Sequence, residues 1–599
     1  MDIYGFYTGR VFDAYEYLGA HLTEGGAVFR TFAPAAAGIC VRLEGREIPM
    51  NRIGDGNFYE ACVPEVKAGD CYEYRIYGRN GQYQDHCDPY GFGMELRPAH
   101  RSVVRDLCAY RFKDEAWVRS RDTRMNGPMN IYELHAGSWR KPSQEQEDWY
   151  SYGELAELLA PYLKESGYNY VELMPLSEHP CDESWGYQNT GFYAPTSRYG
   201  TAAELMEFVD IMHRNGIGVL LDYVPVHFAV DDYALVKYDG TELYEYPHSD
   251  VGVSEWGSYN FIHSRGEVRS FLQSAANYWL KEYHFDGLRM DAISRIIYWM
   301  GDERRGVNGN AVDFVRVMNR GLKERNPGCI LIAEDSTNYP NVTKSADQGG
   351  LGFDYKWDLG WMHDTLSYFQ SPPWERKEKY HRLTFSMMYY YNEKYLLPFS
   401  HDEVVHGKAT ILQKMSGQYE EKFPQGRALY LYMMVHPGKK LNFMGNEIGQ
   451  LREWDEKRQQ DWELLVYPNH DSFYHYMAEL NRLYLKHPAL FMEDYGQEGF
   501  QWLDCHQEER SIYAILRRGG TERLAAIFNF SGTEQSYEMK LPEGIRAKLL
   551  LYSDWQRFGG NTLEKKPRWQ KADRTWSLAP FCGMLLELKN EAENQTSLL

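Results

Sequence analysis

The chain has 599 residues, a formal charge of -20, and an aromatic complement of 48 tyrosines, 27 phenylalanines and 16 tryptophans. That length predicts two or three domains rather than one core, and the acidic balance argues against nucleic acid or an anionic membrane as partner. No apolar run approaches the roughly 20 residues of a membrane span. The nine cysteines show no paired C-x-x-C spacing, and the opening MDIYGFYTGR lacks the basic and apolar segments of a signal peptide. A soluble, monomeric protein in a reduced, cytoplasmic setting is therefore expected. Residues 1–108 read as short alternating strands cut by turns, among them AVFRTFAP, GICVRLEG, GNFYEACVP and GDCYEYRIYG, which predicts an N-terminal β-sandwich.

From residue 109 to 490 the pattern changes to compact apolar runs alternating with helical periodicity, the signature of βα units. Eight candidate strands follow in order: MNIYELH from 129, NYVELMPL from 169, GVLLDYV from 218, FDGLRMD from 285, CILIAED from 329, GLGFDYKW from 350, YLLPFSHDE from 395 and KLNFMGNE from 440. Eight strands predict a (β/α)8 TIM barrel. Helical stretches such as SYGELAELLAPYLKESG and TAAELMEFVDIMHRNG fall between most of them and end in glycine. The long connection after the third strand, roughly 228–265, predicts a small excursion. Alternating runs return over 491–590, predicting a C-terminal β-sandwich, and residues 591–599 read as a frayed tail.

The strand ends of this barrel are unusually polar, and barrel enzymes draw their chemistry from those ends. The third strand finishes in Asp222 with His227 beyond, the fourth in Arg289 and Asp291, the fifth in Glu334-Asp335, and the seventh runs into His401-Asp402. Arg289 and Asp291, two apart on a strand, share a face, so the pair suits either a structural ion bridge or an activated carboxylate. Crowded carboxylates repel, a cost that makes sense where chemistry uses their differing proton affinities. Neither a His-Glu-x-x-His pattern nor a cysteine ligand group anchors a transition metal, and a P-loop and a nucleophile elbow are also missing, so no metal and no cofactor are expected. Carboxylates with an arginine and two histidines suit glycosidic bond cleavage.

These residues carry a family resemblance. Leu221-Asp-Tyr-Val-Pro-Val-His-Phe228, Gly287-Leu-Arg-Met-Asp291, Ile332-Ala-Glu-Asp-Ser-Thr337 and Ser400-His-Asp402 resemble the four ordered regions of the α-amylase superfamily of glycoside hydrolases. Within it, Tyr132-Glu-Leu-His-Ala-Gly-Ser-Trp139, Trp185-Gly-Tyr-Gln-Asn-Thr-Gly-Phe-Tyr-Ala-Pro195 and Ser400-His-Asp-Glu-Val-Val-His-Gly-Lys408 resemble bacterial glycogen branching enzymes over nearly the full chain. The resemblance implies that Asp291 is the nucleophile, Glu334 the general acid and base, and Asp402 the third carboxylate. It implies that Arg289 keeps Asp291 ionised, that His227 and His401 bind sugar hydroxyls, that Tyr187 stacks beneath the ring, and that Asp222 organises the site. It further implies a raised proton affinity at Glu334, an N-terminal sandwich of the glycogen-binding type that either binds sugar or supports the barrel, and glycogen or another α-1,4-glucan as partner. The carboxylates themselves are common to glucan hydrolases, which is the competing function; a non-catalytic glucan-binding scaffold is a third, and it is disfavoured because all three acids are present.

Overall fold

A computed structural model describes residues 1–124 and 126–590; the predicted tail lies outside the described residues. Near the N-terminus two antiparallel sheets form. One runs in the order Gly19–Thr23, Gly26–Phe32, Phe58–Pro64, Asn51–Ile53, and the other in the order Arg46–Pro49, Gly38–Leu43, Cys71–Tyr77, Tyr83–His86. Period-2 alternation buries Tyr72, Tyr74 and Ile76, and the register sets them opposite Leu43, Val41 and Ile39, so one face of this sheet is continuous core. The chain leaves the module at Asp88. Its buried carboxylate accepts from the hydroxyls of Tyr72 and Tyr74, at 2.8 and 3.1 Å, and from the Tyr90 N–H at 2.9 Å. Burial nonetheless pushes this acid up to about 6.

Eight parallel strands close into a barrel: β1 (Asn130–Leu134), β2 (Tyr170–Leu173), β3 (Gly218–Tyr223), β4 (Gly287–Met290), β5 (Ile330–Ala333), β6 (Tyr355–Trp357), β7 (Tyr395–Phe399) and β8 (Lys439–Phe443). The eight predicted strands are thus the eight observed. All eight are buried along their length, which is why they read as compact runs rather than alternating ones. Gly287 opens β4 because a Cβ there would stand 2.1 Å from the Ile330 carbonyl oxygen of β5.

The principal helices are α1 (Tyr152–Ser166), α2 (Ala202–Arg214), α3 (Gly266–Glu282), α4 (Gly309–Arg325), α5 (Leu359–Gln370), α6 (Tyr419–Val435) and α7 (Pro468–Lys486). The start and stop of α2 are written in the sequence. Thr201 and Glu204 form a reciprocal capping box, worth about 1 kcal/mol, and Gly216 takes φ 78° just past the C-cap Asn215. Between β5 and β6 the connection holds only a single-turn helix, Ala346–Gln348. The excursion after β3 contains a short ladder, His227–Phe228 with Tyr259–Asn260, and a one-turn helix at Ser249–Gly252. A second ladder, Ser177–Glu178 with Gly191–Pro195, follows β2.

Helix α3 carries a polar ridge where an apolar one is usual. Ser270, Gln273, Ser274 and Asn277 lie at helical spacing, all buried, and donate to the backbone carbonyls of Phe6, Gly9, Val11 and Phe12 at 2.8–3.2 Å. These bonds satisfy the irregular backbone of the opening segment. At the start of the same helix, Gly266 passes so close to that segment that a Cβ would meet the Tyr7 carbonyl oxygen at 1.8 Å.

Two compact units emerge from the packing: one gathers most residues up to Asp354, and the other the residues from Tyr355 together with Asn126–Leu134 and Pro161–Val171. The second unit ends in a six-stranded sheet ordered Phe500–Gln507, Ile512–Gly519, Glu522–Asn529, Cys582–Asn590, Ile545–Tyr552, Gln570–Lys571, with a two-stranded sheet of Gln535–Glu538 and Thr575–Leu578. The predicted architecture, a (β/α)8 barrel between N- and C-terminal β-domains, is the one observed. No helix among the described residues is long and apolar enough to cross a membrane.

Candidate active site

Arg289 sits in the middle of the fully buried strand β4, where an unpaired guanidinium would cost several kcal/mol. It is paired three times over. Nη1 lies 2.7 and 2.6 Å from the two oxygens of Asp222 and 2.9 Å from Asp291 Oδ1, while Nη2 lies 3.0 Å from Glu334 Oε2. Strand register explains the convergence. Asp222 of β3 stands directly beside Arg289, Asp291 follows two residues on along the same face, and Glu334 extends β5, which is paired on the other side. The arrangement is held by backbone bonds past the strand ends, Asp291 N–H to the Tyr223 carbonyl at 3.0 Å and Glu334 N–H to the Met290 carbonyl at 3.1 Å.

Ala292 then turns the chain with left-handed angles, φ 49° and ψ 44°, and its N–H donates to Glu334 Oε2 at 2.9 Å. A non-glycine residue in that region is costly and is found where a site needs the backbone turned so. Tyr187, half-buried, donates its hydroxyl to Asp222 Oδ2 at 2.5 Å, and its ring centroid is 5.9 Å from the Arg289 guanidinium carbon. Four anionic or phenolic groups thus surround one cation. Its affinity for its proton is raised well above the ordinary arginine value: burial opposes the charge, and Asp222, Tyr187, Glu334 and Asp291 together outweigh it.

Asp291 is pushed well above the usual carboxylate range, first by burial, against the pull of Arg289, and further by Glu334 and Asp222. A hydrogen bond between the two carboxyls adds to the rise at Asp291. The Asp291 side chain is 13% exposed and that of Glu334 20%. Asp335, next to Glu334 in sequence, folds into its own turn and accepts from Thr337 N–H and Oγ1 at 2.9 and 2.8 Å.

His227, on the short ladder after β3, is buried, and its Nδ1 has no hydrogen-bond partner among the described residues. Burial, with Arg295 adding, lowers it to about 4, so the ring is neutral in ordinary buffers. A buried neutral nitrogen left unpaired in the protein is a seat for a ligand hydroxyl.

His401 and Asp402 lie in the second unit, with partners of their own. Just past β7, His401 donates its backbone N–H to Glu133 Oε2 at 2.9 Å and places Nδ1 2.5 Å from Oε1, while Nε2 stands 3.5 Å from Asp402 Oδ1. Asp402 is 48% exposed on its side chain and its carbonyl accepts from Lys408 Nζ at 2.7 Å. Glu133, the buried acid of β1 that orients His401, was not singled out from the sequence. The signal was present: a carboxylate inside the apolar run NIYEL, comparable to Arg289 inside GLRM.

This barrel, with an arginine-braced set of carboxylates at its strand ends and β-domains before and after it, defines a protein of the α-amylase type. Residues 127–240 match the alpha amylase catalytic domain, 502–581 the alpha amylase C-terminal all-beta domain, and 1–90 the N-terminal domain of alpha-1,4-glucan branching enzyme GlgB. The chain belongs to the 1,4-alpha-glucan branching enzyme GlgB family. It is 41% identical over 588 residues to the 1,4-alpha-glucan branching enzyme GlgB of Fusobacterium nucleatum, covering 96% of this chain and 95% of that one. Against the Halothermothrix orenii protein of the same name the figures are 42% over 604 residues, 97% and 96%. Among solved structures, a putative alpha amylase from Salmonella typhimurium superposes with a TM-score of 0.73 at 19% identity, covering 95% of this chain and 99% of that one. Type I pullulanase from Bacillus subtilis superposes with 0.74 at 20%, covering 98% and 87%. At such identities these two structures speak for the fold alone.

Proposed function

We propose that this protein cuts an α-1,4 bond of a linear glucan and transfers the severed segment to a 6-hydroxyl, making an α-1,6 branch. The bridging of Asp291 and Glu334 by the two terminal nitrogens of one buried arginine carries the cleavage step, and the likeness to branching enzymes over nearly the whole chain supports transfer over hydrolysis. Two carboxyls so held form the compact pair that retaining glycoside chemistry uses. When the glycosidic oxygen arrives beside Glu334, that acid carries the proton and Asp291 is ionised against Arg289. Asp291 then attacks the anomeric carbon as the C1–O4 bond breaks and Glu334 delivers its proton to O4. The ester so formed is opened by an acceptor 6-hydroxyl, whose proton returns to Glu334 as the C1–Asp291 bond breaks.

Asp402 is the third carboxylate of this scheme and stabilises positive charge on the reacting ring. His401, oriented by Glu133, and His227, through its unpaired nitrogen, hold hydroxyls of that sugar, while Tyr187 supplies its floor. Asp222 fixes Arg289 and Tyr187 rather than touching the reacting atoms. The substrate is glycogen or a similar storage glucan, and the working form is a monomer in the cytoplasm, a reducing setting that suits nine cysteines without paired spacing. The N-terminal module, residues 1–108, supports the barrel through the bonds that α3 makes to its opening segment.

Incubation with amylose tests the activity. Iodine colour should fall while reducing ends stay nearly constant until a debranching enzyme is added; a matched rise of reducing ends without it would make the protein a hydrolase. Asp291→Ala should lower both transfer and cleavage by about 10⁴-fold or more with the melting temperature retained.

A further inference from the structure

Trp256 stands on the excursion after β3, and 47% of its surface is exposed although its surroundings are built to hold it still. It occupies a tight turn in which Ser254 Oγ accepts from the N–H of Trp256 and of Ser258, each at 3.2 Å, and Gly257 takes φ 77°. The Trp256 carbonyl accepts from Gln188 Nε2 at 3.2 Å, which ties the turn to the residue following Tyr187. The guanidinium carbon of Arg295 lies 5.0 Å from the indole centroid, and Arg295 is itself fixed by the Glu255 carboxylate and the Met300 carbonyl. The His227 ring lies 5.3 Å from the indole, tilted by 43°. An indole that is rigid, half-exposed and braced by a cation is a stacking surface, since the order needed to receive a flat ligand is already present.

Two contacts orient this surface within the site. Through His227 it borders the sugar whose bond is cut. Through Arg295 it joins the short helix Ile293–Ile297, whose lead-in is bonded to Glu334 twice, Ala292 N–H to Oε2 and Ile293 N–H to the carbonyl, both at 2.9 Å. The acid that protonates the departing oxygen must also accept the proton of the arriving hydroxyl, so Glu334 marks the side on which the leaving chain is replaced by the acceptor.

We propose that Trp256, backed by Arg295, is a specificity-determining residue that stacks a glucose unit of the acceptor chain and thereby favours transfer over water. The assignment rests on the roles given above to Asp291 and Glu334. Chemically it needs no new step: the acceptor 6-hydroxyl attacks the Asp291 ester as before, and Trp256 raises the fraction of the time it is in place.

The test compares the wild-type protein with Trp256→Ala, Trp256→Leu and Trp256→Phe on amylose, measuring branch points after debranching and reducing ends before it, with melting temperatures in parallel. In Trp256→Ala the ratio of branch points to new reducing ends should fall about tenfold, equal to about 1.4 kcal/mol of differential stabilisation. Trp256→Leu should behave alike, and Trp256→Phe should recover most of the ratio because it restores a ring. A ratio unchanged in both Ala and Leu variants, or one that fails to recover in a folded Phe variant, overturns the assignment. A wild-type protein that makes no branches would instead overturn the transfer reading itself, and activity surviving in Asp291→Ala would overturn the nucleophile; both outcomes are separate from the Trp256 ratios.

Discussion

Glu133 of β1 grips His401 at two points, accepting its backbone N–H with one carboxylate oxygen at 2.9 Å and meeting its ring nitrogen with the other at 2.5 Å. One acid therefore fixes both the entry of the chain past β7 and the orientation of the imidazole, leaving Nε2 directed to Asp402. Glu133→Gln keeps the shape but offers one acceptor oxygen and a competing N–H donor. A displacement of the ring by about an ångström should lower kcat about 10²-fold. A melting temperature near wild type with this loss supports a positioning role; wild-type kcat would refute it.

Arg289→Lys tests the fork. A lysine has one nitrogen, which cannot stand within 3.0 Å of Asp222, Asp291 and Glu334 in the planar arrangement that Nη1 and Nη2 provide. Cleavage should fall by about 10²-fold or more, and the acidic limb of the kcat/KM profile should move upward in pH, because one ammonium shared among three carboxyls opposes protonation of Asp291 less than the guanidinium fork does. An unmoved limb would show that Arg289 does not set the ionisation of the pair.

Stability should depend on pH through a buried cluster at the start of β4. His213 bridges Asp114 at 2.7 Å and Asp286 at 2.9 Å under a stacked Trp117, with Arg121 also on Asp286 and His284 also on Asp114. Burial opposes charging of His213, but Asp286 and Asp114 outweigh it and raise the imidazole. Burial likewise opposes ionisation of the two acids, and the bonds to His213, with His284 on Asp114 and Arg121 on Asp286, outweigh it and lower both. A raised histidine stabilises fully below its unfolded value of about 6.5 and loses that as pH rises through its folded value; lowered aspartates stabilise above about 3.9 and lose it as pH falls. The melting temperature should therefore be highest between about pH 4 and 6.5 and decline on the alkaline side. His213→Asn should cost about 3 kcal/mol at pH 6 and lack the histidine part of that decline; an unchanged alkaline slope would exclude His213 as its source.

Gly266→Ala addresses the seam between α3 and the opening segment. The added Cβ would lie 1.8 Å from the Tyr7 carbonyl, so backbone must move, and strain of about 1–3 kcal/mol is expected from overpacking. Thermal melting would detect it, and hydrogen exchange should rise first at residues 6–12. A variant as stable as the parent would mean that the segment yields freely.

What the sequence disclosed depended on the scale of the signal. The eight barrel strands were legible because burial on both faces makes each a compact apolar run, and Asp291, Glu334, Arg289 and Asp222 were legible as charges at the ends of such runs or within them. The ladder of Ser177–Glu178 with Gly191–Pro195 was not, since two residues cannot show a period. Glu133 was passed over because its partner, His401, is 268 positions away. The rise in the proton affinity of Asp291 turns first on its burial, which no one-dimensional pattern records. Trp256 was one tryptophan among 16 until its exposure and the cation behind it were known.

The ring of groups around Arg289 has an arithmetic of its own. One guanidinium faces three carboxyls, and with Glu334 carrying the proton that its proposed role as acid requires, the cluster is a unit negative. A glucosyl ring acquires nearly a unit of positive charge as its bond to oxygen stretches. The resting pocket is thus out of electrical balance by the amount that the reaction supplies, and the fleeting cation brings it to neutrality. A neutral sugar bound there leaves the imbalance in place, so the site discriminates between substrate and transition state by charge count before any difference of shape.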